Sequence, residues 1–257
     1  MTDRPLIMGV LNVTPDSFSD GGRFLATDDA VSHGVSMMDQ GADVVDVGGA
    51  STRPGSVQPT PEEEAARVLP VVARLASLGR ARISVDTMTP EVARAAVEVG
   101  ATLINDVSAS LWPIAAETGA GWAAMHMQGT PETMQTAPHY DDVVAQVQNF
   151  LLDRAATARA AGVGEVWIDP GFGFGKTRAH NLELLAHLDV LCASPYPVLV
   201  GLSRKSMLGA HLPPSDRLEA SVAAAVWVAT KGAGMVRVHD VAATVAAVRI
   251  VCDPVGV

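Results

Sequence analysis

The sequence predicts a single (β/α)8 barrel, and three observations carry that expectation. Eight short apolar runs alternate with eight longer stretches of helical periodicity along 257 residues. Nearly every apolar run ends on polar residues, as a barrel that builds its site at the C-terminal ends of its strands requires. No linker, low-complexity segment or sequence repeat divides the chain, so residues 1–257 are read as one domain. An open doubly wound sheet is the alternative that shares this alternation.

The elements follow in order. LIMGVL at 6–11 is the first strand; the turn-rich loop TPDSFSDGG at 14–22 precedes a helix over 28–40, which Gly41 stops. DVVDVG at 43–48 leads through STRPGS at 51–56 to a helix over 62–78. Its start is marked by Thr60, Pro61 and the acidic turn Glu62, Glu63, Glu64, and its stop by Gly79. RISVD at 82–86 precedes Thr89, Pro90 and Glu91, which open a helix over 90–99 that Gly100 ends. TLIN at 102–105 is followed by a helix over 113–119, and WAAMH at 122–126 by one over 140–162. EVWID at 165–169, PVLVG at 197–201 and MVRV at 235–238 complete the strands, with helices over 179–192, 216–231 and 240–252.

Within this frame, WIDPGFGFGKT at 167–177 ends like a nucleotide-binding loop. A P-loop ending on Gly175, Lys176 and Thr177 needs a glycine at 170, where the chain has Pro170. The dinucleotide pattern counted from Gly171 and Gly173 fails at Lys176. What remains is a carboxylate, Asp169, at the end of an apolar strand beside a loop of permissive backbone.

A net charge of −10 excludes a broad nucleic-acid or anionic-membrane surface, so any anion site is local. Neither a signal peptide nor an apolar run long enough to span a membrane is present. Cys192 and Cys252 lack metal spacing and read as buried, reduced thiols of a cytoplasmic protein.

The strand ends carry Asn12; Thr52 and Arg53; Asp86; Asn105 and Asp106; His126; Asp169; Ser203, Arg204 and Lys205; and Arg237 with His239. Any one of them alone reads as a cap or turn residue. Taken together they divide into two chemical sets. Asp86, Asn105 and Asp169 can pair with an amino-substituted nitrogen heterocycle, because a carboxylate accepts two parallel N–H bonds. Arg53, Arg204, Lys205, Arg237 and His239 gather positive charge in an acidic chain and suit a diphosphate, while Asn12 is a hard oxygen ligand for a bridging Mg²⁺. A ring and a diphosphate describe a substrate with a good leaving group. The loops at 14–22 and 51–56 read as covers for it. His126, in MHMQGTPETMQ at 125–135, reads equally well as a satisfied strand-end histidine.

The tracts MGVLNVTPDSFSDGG, ADVVDVGGASTRPG, SVDT, NDVS, MHMQGTPETMQ, IDPGFGFGKT with His180 and Asn181, VGLSRKSMLG and RVHDV occur in the order and spacing of the dihydropteroate synthases, and the chain resembles that family along essentially its whole length. The resemblance implies a folate-pathway transferase that joins 4-aminobenzoate to (7,8-dihydropterin-6-yl)methyl diphosphate and is inhibited by sulfonamides. It implies a pterin-binding set of Asp86, Asn105, Asp169 and Lys205, with Met125, Phe174 and Gly201 shaping the slot. Asn12 is implied as the Mg²⁺ ligand, and Arg53, Arg237 and His239 as diphosphate contacts. Thr52, Pro54, Phe18 and Ser206 are implied on the aminobenzoate side, and Asp86, Lys205, Arg237 and His239 in the chemistry itself. A cytoplasmic homodimer follows from the same likeness.

The chain departs from the family at Ala50, where members usually carry Glu; Arg53 and Pro54 are present, so catalysis is expected to survive. Three rivals share parts of this pattern: a pterin-binding methyltransferase barrel, a Schiff-base enzyme using Lys205 with its neighbour Arg204 lowering the amine pKa, and a non-catalytic pterin-binding paralogue. The intact STRPG, SRKS and RVHD tracts disfavour the first.

Overall fold

In the structure, a computed structural model, residues 4–14, 22–51, 58–209 and 211–252 are described, with only the backbone described for 22–26. Strands with helices packed outside and side chains packed inside have no wet face, so they read as apolar runs. The eight strands are β1 (Leu6–Asn12), β2 (Val44–Gly48), β3 (Arg82–Asp86), β4 (Leu103–Asp106), β5 (Gly121–Met125), β6 (Val166–Asp169), β7 (Leu199–Val200) and β8 (Met235–Val238). Every residue of β2, β4, β5 and β6 is buried.

All strand pairs are parallel, in the order β6-β5-β4-β3-β2-β1-β8-β7. Neighbours in sequence are neighbours in the sheet, and β1 pairs with β8, so the strand-order reversal of a doubly wound sheet is absent. The ring closes between β6 and β7 through the bridge Ile168↔Val198, with Ile168 N donating to Pro197 O at 3.1 Å. This settles the choice between the two topologies in favour of the barrel.

The helices are α1 (Gly22–Asp39), α2 (Pro61–Ser77), α3 (Pro90–Glu98), α4 (Trp112–Thr118), α5 (Val143–Ala160), α6 (Arg178–Ala186), α7 (Leu188–Cys192), α8 (Leu218–Thr230) and α9 (Val241–Cys252). Most boundaries fall within two or three residues of expectation. Three differ in kind. β7 is two residues, because Pro197 has no N–H to offer a ladder. The helix expected over 179–192 breaks at His187, whose φ of −108° and ψ of 26° leave the helical region. Helix α1 starts at Gly22, earlier than the 28 expected. Short 3-10 turns at Ser206–Leu208 and Pro214–Asp216 fill the path from β7 to α8.

Two hydrophobic clusters hold the layers together. Met8, Val44, Leu103, Ala123, Trp167, Leu199 and Met235 fill the inside of the barrel. A larger cluster, including Val45, Val47, Val71, Leu75, Ile104, Leu151 and Ile168, joins sheet to helices. At the N-terminal end the barrel is plugged by Arg82, which donates to both oxygens of Glu165 at 2.6 and 2.8 Å, with Trp167 Nε1 on Glu165 Oε1 at 2.6 Å. Thr60 caps α2 as its sequence announces: its Oγ1 accepts from Glu63 N, and Glu63 Oε2 accepts from Thr60 N. Glu64 differs from its exposed neighbours Glu62 and Glu63 in that first turn. It is buried and accepts from Thr87 Oγ1 at 2.6 Å and Thr89 Oγ1 at 2.8 Å, tying α2 to the end of β3. No described helix is long and apolar enough to cross a membrane.

Candidate active site

The strand register sets the mouth of the barrel. Asn12 of β1 pairs with Gly48 of β2, Gly48 with Asp86 of β3, and Asp86 with Asn105 of β4, so these positions share one level at the C-terminal rim. Arg237, on β8, reaches across: its Nε donates to Asp46 Oδ2 at 2.7 Å and its Nη2 to Asp86 Oδ2 at 2.6 Å. Asn105 Nδ2 donates to the same Asp46 oxygen at 2.9 Å. Burial raises the Asp86 carboxyl to about 7; Arg237 opposes that rise, while the carboxylates of Asp46, Glu64 and Asp106 add to it. Arg237 itself loses by burial but is pushed up by Asp46 and Asp86, and stays charged.

On the other side stand Asp169 and Lys205. The Asp169 carboxyl is raised by burial, opposed by Lys205, by the Gly171 N–H that bonds its Oδ1 at 2.7 Å, and by Arg237. Lys205 is lowered to about 8 by burial and by Arg237, with Asp169 and Asp86 holding its proton on. Its ammonium donates to Phe172 O and lies 4.7 Å from the centroid of the Phe174 ring. Asp86, Asp169, Lys205 and Arg237, scattered across the sequence, thus act on one another electrostatically in one place.

The glycine loop after β6 is explained by its lysine. Lys176 is buried, and its ammonium meets the carbonyls of His126, Gly171 and Phe174 at 3.2, 3.0 and 3.0 Å and His126 Nδ1 at 2.9 Å. It binds its own loop rather than a phosphate. Gly171 and Gly175 have positive φ, 64° and 62°, and a Cβ at either would fall 1.9 Å from His126 O or 2.4 Å from Gln128 O. Asn181 completes the fold of the loop, accepting from Gly173 N at 2.7 Å and donating to Thr177 O at 2.7 Å. His126 is a satisfied structural histidine. Burial and Lys176 lower it to about 3, so it is neutral.

Other expected residues fall as follows. Met125 ends β5 and is buried against the Gly171 turn; Gly201 faces Arg237, with its absent Cβ 3.8 Å from Arg237 Cβ. Ser206 is exposed at the start of its 3-10 turn, and Asn12 is exposed at the end of β1. His239 Nδ1 meets Ser203 Oγ at 3.0 Å. Burial beside Arg237 and Arg204 lowers His239 to about 4, so it enters neutral and does not add the charge its position suggests. Arg204 is drawn out of the cationic set: its guanidinium is bidentate on Asp240, at 3.1 and 2.6 Å. It is absent from the groups that shift Lys205, which corrects the expectation that it lowers that amine. Asp106 also leaves the site, its carboxylate closing the turn after β4 on the N–H groups of Ser108, Ser110 and Leu111 and on Trp122 Nε1. Thr52, Arg53, Pro54 and Phe18 lie outside the described residues. The cysteines are unpaired and half-buried rather than fully buried. Sequence reasoning passes over Asp46 and weighs Lys176 only as a phosphate-loop lysine; the signal for each is a charge placed where its neighbours are apolar or glycine.

A parallel barrel that gathers two carboxylates, an amide and two cations at its rim has the form of a pterin-binding barrel enzyme, and residues 8–239 match the family described as pterin binding enzyme. The chain belongs to the dihydropteroate synthases within it, transferases of folate synthesis. It is 49% identical over 255 residues to the dihydropteroate synthase of Escherichia coli strain K12, covering 96% of this chain and 90% of that one. Among solved structures, Xanthomonas albilineans dihydropteroate synthase with 4-aminobenzoic acid superposes with a TM-score of 0.90 at 49% identity, over 96% of this chain and 92% of its own. The same enzyme in complex with 7,8-dihydropteroate gives 0.86 at 46% identity, again over 96% and 92%.

Proposed function

We propose that this rim condenses 4-aminobenzoate with (7,8-dihydropterin-6-yl)methyl diphosphate, releasing diphosphate and 7,8-dihydropteroate by an S_N1-like displacement without a covalent enzyme intermediate. One observation carries the reading: Arg237 lies between Asp46 and Asp86 at the rim that Asp169 and Lys205 share. An arylamine is uncharged at pH 7 and already nucleophilic, so the difficult step is breaking the C–O bond to diphosphate. Burial makes Asp86 costly to ionise even with Arg237 beside it; positive charge developing on the pterin methylene repays that cost, so the interaction strengthens toward the transition state. Asp169 and Asn105 hold the ring, Lys205 donates to it, and Met125, Phe174 and Gly201 leave it a slot. Arg237, neutral His239 and Arg53 contact the departing anion, and Thr52, Pro54, Phe18 and Ser206 receive the aminobenzoate.

The donor set suits Mg²⁺ bound largely through the substrate. Among the described residues no cluster of three or more His, Cys, Asp or Glu is arranged for a metal, and Asn12 offers one hard oxygen at the rim. Held by Asn12, substrate phosphates and water, the ion would supply charge stabilisation to the leaving diphosphate. The reading also includes a homodimer, supported by apolar side chains exposed on α8 and α9, and a cytoplasmic setting, supported by two unpaired cysteines.

The test is direct: protein, pterin diphosphate, Mg²⁺ and 4-aminobenzoate are mixed and diphosphate release is followed alongside dihydropteroate. Equal release of both is expected. Absence of release, or isolation of a pterin covalently bound to the protein, refutes the reading.

A further inference from the structure

We propose that Asp46 is a specificity-determining residue, which fixes the side-chain amide of Asn105 so that the site offers the ring an oxygen rather than an N–H₂ group. The inference rests on the pterin reading of the site. Asp46 lies in the middle of β2 and is 0% exposed. Its Oδ2 takes two donors, Asn105 Nδ2 at 2.9 Å and Arg237 Nε at 2.7 Å. A carboxylate beside a guanidinium accepts and does not donate, so only the nitrogen end of the Asn105 amide can face it. Asn105 Oδ1 is then the end left for a ligand.

The lock is tight because Asp46 has few partners. Its Oδ1 has no hydrogen-bond partner among the described residues, and neither does Ser84 Oγ, its register neighbour on β3. The buried charge therefore stands on two donors. Turning the Asn105 amide over would remove one of them and set oxygen against oxygen. With the amide fixed, a bound ring meets acceptors from Asp86, Asn105 and Asp169 and a donor from Lys205. That pattern suits a ring edge carrying an amino group and rejects one in which the amino group is replaced by oxygen. Asp46 does not touch the ring; it acts through Asn105.

The experiment compares binding of pterin-6-carboxylate and lumazine-6-carboxylate, which differ at the 2-amino group, by calorimetry on wild type, Asp46→Ala and Asp46→Asn. Wild type is expected to prefer the pterin by roughly 100-fold. Asp46→Ala leaves room for water, which donates as readily as it accepts, and its preference is expected to fall about tenfold. Asp46→Asn, whose carbonyl can take the place of Oδ2, is expected to stay within about threefold of wild type. General structural damage weakens both ligands together and leaves the ratio in place. A wild-type ratio in Asp46→Ala overturns the role of Asp46 while leaving the pterin reading intact; a wild-type protein with no preference overturns the pterin reading itself. If Asp46→Ala does not fold, exchange of the Asn105 side-chain amide protons in the wild-type protein decides by NMR. Slow exchange is expected, and exchange as fast as in exposed amides overturns the inference.

Discussion

At Asp86 the fold accepts a cost that the proposed chemistry returns. Its carboxyl is raised to about 7 by burial against the opposing pull of Arg237. For the free enzyme, kcat/KM toward pterin diphosphate should therefore rise with pH through a value near 7, and a profile flat from pH 6 to 8 would deny Asp86 an ionised role. Asp86→Asn should lose roughly 10²-fold or more in kcat, read in the diphosphate assay. The same substitution should stabilise the protein. The folded pKa lies above the ~3.9 of an unfolded carboxyl, so the group favours folding while protonated and disfavours it as pH rises through about 7. Thermal unfolding at pH 8 should show Asp86→Asn melting above wild type, with the gap closing toward pH 4. At this scale the sequence is readable where a polar residue ends a strand. Asp46 is less so, because a carboxylate inside VVDVG marks a buried charge without showing that Asn105 and Arg237, far along the chain, are its partners.

At the scale of elements, the loop between β6 and α6 shows why a near-match to a phosphate loop arises without its function. Lys176 neutralises carbonyl dipoles of its own chain, and the glycines let that chain approach the strand beside it. Gly171→Ala combines a left-handed φ with a contact of 1.9 Å to His126 O, and should cost about 3 kcal/mol or more in denaturant unfolding while weakening pterin binding. Thr60→Ala, which removes only the α2 cap, should cost about 1 kcal/mol and leave turnover unchanged. The difference between these two substitutions separates loops that shape the site from helix ends that hold the frame. Strand and helix positions are legible because both periodicities are strong here. The break at His187 and the short β7 are not, because they depend on a local backbone angle and on a proline at one ladder position.

For the whole molecule, the parallel run of the strands follows from their alternation with helices, whereas their order and the ion pairs do not. Arg204 and Arg237 look equivalent in sequence, yet one faces Asp240 on the approach to α9 and the other spans the barrel to Asp46 and Asp86. Only assembly of β2, β3 and β8 decides which carboxylate each meets. The outer face of the last two long helices exposes Trp227 at 48%, Ile250 at 62% and Val251 at 44%. If the proposed homodimer uses this face, wild type should sediment as a dimer and Trp227→Glu combined with Ile250→Lys as a monomer; a monomeric wild type refutes the homodimer, and a dimer unaffected by both substitutions places its contact elsewhere.

The ring of strands has one thin joint. Between β6 and β7 a single bridge replaces the ladder found at every other junction. Amide protons along that joint should therefore be the least protected in the sheet, and transient splitting of the wall should begin there. Lys205 follows β7 and Asp169 ends β6, so these two neighbouring groups of the proposed ring site stand on opposite lips of that split: breathing of the wall would part them, giving a rigid scaffold a way to admit and discharge a flat cargo.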